Sequence, residues 1–481
     1  MNDNDTGIGQ VTLPGSPLGI AWAFLYGYGS IPAATYMPEL RKLGAGFTKV
    51  YLFWNQIEPQ KGRFDWNAVD AFVDQLESPE EGLIAVFSAS QWATRTSAEM
   101  LPPSPAKEPE DYYRFVYELV RHCRGKVRYW QNDAEPNNPI FWAGTKEEFV
   151  SALKIFYRAV KDADSDANVI AGGYDGLFVP PTVTDKPPFA MQEAGLRFFD
   201  YVLDEGRNAF DIFDLRLYGD SYTIRPRIEF MREKMRRLGY EKPIVCTEYG
   251  GPSIFQFAAN RQYRPWVAAW SQAVAGGHAE ANPVAAEIAH LYEVMSTLPP
   301  ETQMFMLGCP PELNAKLARI QARELVMRNL FAFAAGVGKT LYWQFLHAHG
   351  DRNDLMTLMF GKIGMVGEEN GALTRRFPVA EAYVRMAAAL RGLERVTQIE
   401  TPDQPEIFLL RVDRGQRGSL YVVWQRRDLF SGEDAPPGLF RWRWSANTVS
   451  AIDALGNTVQ AQLLNGEVHM PISVTPVYLD L

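Results

Sequence analysis

The chain has 481 residues, of which 47% are hydrophobic and 22% charged, and its formal net charge at pH 7 is −9. This length exceeds one ordinary core and predicts two domains, of which one could be a large barrel. The acidic balance, without any block of basic residues, argues against a nucleic-acid-binding protein. No apolar run reaches the ~18 residues of a membrane span, so we expect no membrane partner.

Short apolar runs alternate with helical patterns over most of the chain. The helix after the second strand, for example, carries Val69, Phe72, Val73 and Leu76 on one face, at positions i, i+3, i+4 and i+7. Eight strand–helix units can be counted, which predicts an α/β fold with a closed (β/α)8 TIM barrel. The predicted strands cover 18–24, 47–54, 83–90, 127–133, 168–173, 210–219, 243–250 and 339–346.

The domain boundaries are predicted where this alternation of strands and helices begins and ends. Residues 1–16 are polar and are interpreted as a lead-in that could pair with the C-terminal domain. Residues 17–397 form the predicted barrel, with a long insertion at 251–310. Residues 398–481 contain short β-rich runs at 406–412, 419–425, 439–444, 447–453 and 474–481. Turn signals such as Asn465-Gly466 separate them, and together they predict an antiparallel β-sandwich.

The N-terminal decapeptide MNDNDTGIGQ lacks the charged and apolar regions of a signal peptide. A cytoplasmic location and secretion after removal of a signal both stay open. The oligomeric state is not indicated by the sequence.

Two predicted strands lead to a glutamate, with a proline or glycine within the next two residues. Glu135 follows the run VRYWQNDA, and Glu248 ends PIVCTE. In a parallel barrel both would lie on the face formed by the carboxyl ends of the strands, where catalytic residues are found. Two facing carboxylates are the minimum equipment for hydrolysis of a glycosidic bond. The competing interpretation, a pair of salt-bridged strand-end residues, is less favoured for the two together than for either alone.

Four segments resemble motifs of the retaining glycoside hydrolases of clan A, and of family 39 in particular. They are 49-KVYLFWNQIEPQKGRFDW-66, 135-EPNNPIFWAGTKEEFVSAL-153, 243-PIVCTEYGG-251 and 341-LYWQF-345. The resemblance implies that Glu135 is the general acid/base and Glu248 the nucleophile. It also implies a carbohydrate substrate and no cofactor.

Two positions depart from the family pattern. Ala134 stands where the motif has an asparagine that binds the sugar 2-hydroxyl, and Lys49 stands where an arginine is common. Another donor (Asn132, Asn55 or Asn137) could replace the missing amide, the substrate could lack a free equatorial 2-hydroxyl, or activity could be lost. Lys49 keeps the positive charge without the planar fork of a guanidinium.

Further residues at or just past the predicted strand ends are expected to bind substrate. These are Trp54, Asn55, Trp92, Asp133, Asn137, Trp142, Asp175, Tyr218 and Trp343. The aromatic-rich insertion at 251–310 predicts a helical lid over one end of the cleft, with a packed structural insert as the alternative. His347, His349 and Asp351 are interpreted as loop residues, and no metal site is expected.

The sequence therefore predicts a retaining glycoside hydrolase, exo-acting on a β-glycoside or short oligosaccharide. An endo-acting polysaccharide hydrolase and a non-catalytic carbohydrate-binding barrel remain open alternatives. The sugar and the linkage are not indicated.

Overall fold

The computed structural model describes residues 13–21, 31–174, 190–276, 282–347 and 350–480. Among these residues, eight parallel strands close into a barrel in chain order, which confirms the predicted TIM barrel. Each predicted run overlaps one of the strands. Strands β1 to β8 span Leu18–Ala21, Thr48–Phe53, Gly82–Phe87, Tyr129–Asn132, Asn168–Tyr174, Ile212–Leu215, Ile244–Tyr249 and Thr340–Tyr342.

Helices connect the strands and cover the barrel. Helix α5 illustrates how the sequence sets a boundary, since Thr145 and Glu148 form a reciprocal capping box at its first turn. Helices α8 to α10 build the long insertion. Helices α1 to α13 span Ala33–Lys42, Trp54–Ile57, Asn67–Val73, Pro109–His122, Lys146–Ala163, Ala190–Glu205, Ile224–Arg237, Arg264–Ala275, Ala285–Glu293, Pro300–Gln303, Pro311–Ala334, Leu355–Phe360 and Pro378–Ala389.

The C-terminal region consists of two antiparallel sheets, ordered β11-β12-β13-β18-β15 and β14-β17-β16, while the hairpin β9–β10 precedes helix α13. Asn465 and Gly466 both have positive φ in the turn between β16 and β17, as a two-residue hairpin requires. The first strand, β11, and the pair β16–β17 were not among the predicted runs. Strands β9 to β18 span Val366–Glu369, Ala372–Arg376, Arg395–Ile399, Ile407–Asp413, Ser419–Gln425, Gly438–Arg443, Ser450–Asp453, Gln462–Leu464, Glu467–Ile472 and Val477–Asp480.

The C-terminal sheets dock on the barrel through helix α11. Phe331 of α11 meets the rings of Phe408 and Trp424 edge-on, with centroids 5.6 and 5.4 Å away. Beside this apolar contact, Glu433 accepts hydrogen bonds from Arg319 at 2.7 Å and from Arg323 at 2.5 Å. The two regions therefore share both an apolar and an ionic contact.

The barrel interior changes from apolar to polar along the strands. Its base is a buried apolar cluster of Phe47, Leu83, Tyr129, Ile170, Ile212, Val245 and Leu341. The described part of the lead-in contacts this end of the barrel, since Tyr129 donates to the carbonyl of Pro14 at 2.9 Å. Two residues further along, where side chains point inward again, the strands carry Lys49, Gln131, Asp214 and Thr247, all buried. The polar layer faces the carboxyl ends of the strands.

Within the described ranges, the model contains no helix whose length and apolar character would suit a membrane span.

Candidate active site

Glu248 lies near the end of β7 and is held through one of its two carboxylate oxygens. Oε1 accepts hydrogen bonds from the Lys49 ammonium and the Tyr51 hydroxyl, and it lies 3.2 Å from Nη2 of Arg216. Within the described residues, Oε2 has no hydrogen-bond donor. The carboxylate is thus anchored on one side and keeps one oxygen available.

The charges around Glu248 keep it ionised. Burial would raise the pKa of this carboxyl, but the positive charges of Arg216 and Lys49 and the hydrogen bonds from Lys49 and Tyr51 lower it below its ordinary value. Glu248 is therefore a carboxylate at neutral pH.

Glu135 follows β4 and shares a guanidinium with Glu248. Nε of Arg216 lies 3.2 Å from Oε1 of Glu135, while Nη2 of the same side chain donates to the carbonyl of Ala134 at 3.1 Å. Arg216 is fully buried. One guanidinium therefore brings the two predicted catalytic carboxylates to the same place.

Residues of the polar layer of the barrel contact the Arg216 guanidinium and hold it in place. Nη1 lies 3.0 Å from Asp214 and also contacts the hydroxyl of Thr247. Asp214 in turn accepts hydrogen bonds from Gln131 at 2.7 Å and from Thr247 at 2.6 Å. Burial would lower the pKa of Arg216, yet the three carboxylates around it raise that pKa well above its ordinary range. The guanidinium is charged and tightly positioned.

Lys49 is the one cation of the site that can lose its charge near neutral pH. It is fully buried, and its ammonium contacts Glu248 and donates to Thr247 at 3.0 Å. Burial and the neighbouring Arg216 lower the pKa of Lys49 to about 8, against the opposing effect of Glu248.

The two glutamates line a small pocket of about 70 Å³. Tyr218 and Trp343 also line it, and burial together with the charges of Glu248 and Glu135 raises the pKa of Tyr218. Nε1 of Trp343 is buried and has no hydrogen-bond partner within the described residues. The insertion and helix α12 close the pocket with Val267, Trp270, Ser271, Leu355, Met356, Met359 and Phe360.

Three tryptophans from the predicted strand ends do not line this pocket. Trp54 is fully buried against helix α4, where it stacks on Phe115 with centroids 4.9 Å apart. Trp92 packs edge-on against Trp54. Trp142 donates to the carbonyl of Thr145 at 3.0 Å, at the start of α5. Each of them packs between barrel and helices.

The polar residues predicted to bind substrate, Asp133, Asn55 and Asn137, do not line the pocket either. Asp133 has a positive φ that ends the regular strand, and its carboxylate turns to the backbone N–H of Ser88 at 3.3 Å instead of pointing inward beside Glu135. Asn55 accepts from the backbone of Gln91 at 3.1 Å, and Asn137 lies beside Gly195 of α6.

Asp175 and His349 fall outside the described residues. His347 stacks on Phe377 with centroids 4.3 Å apart. Across the described ranges there is no group of three or more His, Cys, Asp or Glu side chains that could hold a metal ion.

Arg216, Asp214 and Tyr51 are site residues that the sequence interpretation did not select. A signal was present in 210-FDIFDLRLYG-219, where Asp214, Arg216 and Tyr218 alternate with apolar residues in a buried strand. Side chains two residues apart point to the same side of a strand, so these three share the barrel interior. Charged residues at inward positions of a buried strand are uncommon unless they are paired.

The barrel with its C-terminal sheets is the fold of a group of glycoside hydrolases. The structure is similar to a family 39 glycoside hydrolase from Bacteroides cellulosilyticus WH2, with a TM-score of 0.62 and 16% identity over 97% of this chain and 80% of that one. It is also similar to a β-xylosidase from Caulobacter crescentus CB15, with a TM-score of 0.56 and 12% identity over 96% and 95% of the two chains. A family 51 α-L-arabinofuranosidase from Bifidobacterium longum has a TM-score of 0.57 and 12% identity over 97% and 95%.

No family model and no curated protein matches the sequence. At these identities the solved structures establish the shared fold.

Proposed function

We propose that the chain is a retaining glycoside hydrolase in which Glu248 is the nucleophile and Glu135 the general acid/base. The observation that carries the proposal is the meeting of these two carboxylates on one guanidinium, in a pocket at the carboxyl ends of β4 and β7. That the structural neighbours include a family 39 glycoside hydrolase and a β-xylosidase supports the same reaction class.

In the first step, Oε2 of Glu248 would attack the anomeric carbon while Glu135 protonates the leaving oxygen. The arrangement of Glu248 suits this role, because two hydrogen bonds and the Arg216 guanidinium hold Oε1 and leave the other oxygen without a partner within the described residues. The bond to the sugar would give a covalent glycosyl-enzyme, which water then hydrolyses.

Arg216 would couple the two steps. Before attack, the Glu248 carboxylate and the protonated carboxyl of Glu135 both lie against this guanidinium. Once Glu248 has become a neutral ester, the guanidinium is left facing Glu135 and favours the ionised form of that side chain. An ionised Glu135 is what the second step requires, since it must then take a proton from the attacking water.

The small volume of the pocket supports action at the end of a chain. Trp270 from the insertion and Met356 and Phe360 from α12 line the pocket together with the glutamates. The unpaired Nε1–H of Trp343 and the side chain of Asn138 are the groups that we expect to bind sugar hydroxyls. Asn138 would thereby supply an amide in place of the one missing at Ala134.

Activity on a panel of aryl glycosides tests this function. Wild type should release the aryl group from at least one sugar, and Glu248→Gln should lose this activity. Glu135→Ala should keep part of it for dinitrophenyl leaving groups, which need little protonation, and lose it for poorer ones. Glu58→Gln is the matched control, because Glu58 is an equally buried glutamate paired with Arg114 outside the pocket.

Sugar binding without turnover by wild type would support the non-catalytic alternative. Release of single sugars from an oligosaccharide would support exo-action, and a mixture of internal fragments would refute it.

A further inference from the structure

A second, larger cavity lies where the barrel meets the C-terminal sheets. Its volume is about 300 Å³, which reaches the range of ligand pockets, roughly 300–1,000 Å³. The insertion, helix α11 and the loop after β13 each contribute walls. Gly219 lines this cavity, whereas its chain neighbour Tyr218 lines the pocket of the two glutamates. The two cavities are therefore adjacent.

Five arginines line this cavity, and within the described residues three of them form neither an ion pair nor a side-chain hydrogen bond. Arg323 is paired with Glu433, and Arg427 donates to backbone carbonyls. Arg261, Arg264 and Arg426 form no ion pair with any carboxylate of the described residues. These three come from different parts of the fold, two from the insertion and one from the loop after β13.

Two of these unpaired charges, Arg261 and Arg264, lie near each other. Burial and the positive charge of Arg261 lower the pKa of Arg264. The guanidinium of Arg426 lies over the ring of Tyr222, 4.4 Å from its centroid, which fixes its position. An anion beside Arg261 and Arg264 would relieve the repulsion between them.

The acidic residues of the cavity are already engaged. Glu324 is paired with Arg328 at 2.6 Å. Asp428 accepts from the backbone N–H groups of Phe430 and Ser431 at 3.0 and 2.7 Å. Asp220 accepts from the N–H of Tyr222 at 3.0 Å. None of these carboxylates forms an ion pair with the three free arginines.

We propose that this cavity binds an oxyanion, a carboxylate or a sulfate group carried by a saccharide, next to the pocket of the two glutamates. Guanidinium groups bind both kinds of oxyanion through paired N–H donors. Phe255, Met327 and Val474 add apolar surface for the body of a sugar. The saccharide carrier rests on the proposed function, whereas binding of the oxyanion rests on the cavity alone.

Calorimetric titration with sodium sulfate, glucuronate and glucose tests the assignment without requiring turnover. Wild type should bind sulfate and glucuronate but show no comparable affinity for glucose. The double variant Arg264→Gln/Arg426→Gln should bind the anions about tenfold more weakly or worse. Tighter binding of glucuronate than of sulfate assigns the site to an acidic sugar, and the reverse order assigns it to a sulfated one.

Arg124→Gln is the matched control, since Arg124 is an exposed arginine in the turn before β4, at the other end of the barrel. It should bind like wild type. Equal anion affinity in wild type and the double variant, or no anion binding above that of glucose, would overturn the proposal. If anions bind as expected but no glycoside is cleaved, the hydrolase proposal fails and the oxyanion site stands.

Discussion

Removing the Arg216 guanidinium should destabilise the fold in a way that depends on pH. In Arg216→Met the side chain keeps a similar volume but loses its contacts of 3.2 Å with Glu135, 3.2 Å with Glu248 and 3.0 Å with Asp214. Breaking a buried ion pair costs about 3–5 kcal/mol. Lys49 remains beside Glu248. We therefore expect the free energy of unfolding to fall by about the cost of one buried ion pair, although Arg216 contacts three carboxylates.

The pH dependence follows from Glu248. In wild type its pKa lies below the ordinary value of 4.5, so it stabilises the fold above that pH and the contribution is lost as pH falls through the lowered value. Without Arg216, burial is opposed by fewer charges and the pKa of Glu248 rises. In the variant, Glu248 is therefore protonated up to a higher pH than in wild type. The loss in free energy of unfolding relative to wild type should be larger at pH 7.5 than at pH 4.5.

Urea unfolding followed by tryptophan fluorescence at the two pH values measures this difference. Arg227→Met is the control, because Arg227 is equally buried but donates to the carbonyls of Tyr218 and Arg216. Its cost should be the same at both pH values. A deficit for Arg216→Met below about 1 kcal/mol, or one as independent of pH as the control, would refute the electrostatic role of Arg216.

Three further predictions concern the same pocket. With the pKa of Lys49 lowered to about 8, its ammonium loses its proton above that pH. The pH profile of kcat/KM should therefore fall on the alkaline side near pH 8, and Lys49→Arg, which stays charged, should move that fall to higher pH; an unchanged profile would contradict this role. Tyr51→Phe removes a hydrogen bond to the anchored oxygen of Glu248 and should lower kcat roughly ten- to hundredfold, with no comparable change in KM; an unaltered kcat would show that the bond does not position the nucleophile. Trp270→Ala opens the wall formed by the insertion and should raise KM for short substrates more than it lowers kcat, whereas an equal loss in both would place Trp270 in the chemical step.

The fold was predictable because a parallel barrel repeats one local pattern. Each strand is buried on both faces and appears as an apolar run, as in 83-LIAVF-87, and each helix shows one apolar face. The short strands β16 and β17 were missed, because their sequence is mixed and their pairing depends on β14. Tertiary pairing, more than local preference, determines such strands.

The site was predicted in part, since a strand-end position does not say which way a side chain points. Lys49, Tyr51 and Phe53 face the barrel interior, so Trp54, the next residue, points outward to helix α4. The same alternation would have placed Asp133 inward, but a positive φ at that residue turns its carboxylate to Ser88. Alternation along the strand could identify the outward orientation of Trp54. The orientation of Asp133 depends on a local backbone conformation that the sequence does not signal.

Azide rescue of Glu248→Gly tests the central claim most directly. Wild type is first screened on aryl xylosides, glucosides, galactosides, arabinosides and N-acetylglucosaminides, and the variant is then assayed on the accepted sugar with and without azide. We predict that the variant is inactive and that azide restores release of the aryl group, with a glycosyl azide of inverted anomeric configuration as the product. Full activity of the variant without azide, or restored activity that yields no glycosyl azide, would contradict the assignment of Glu248 as the nucleophile.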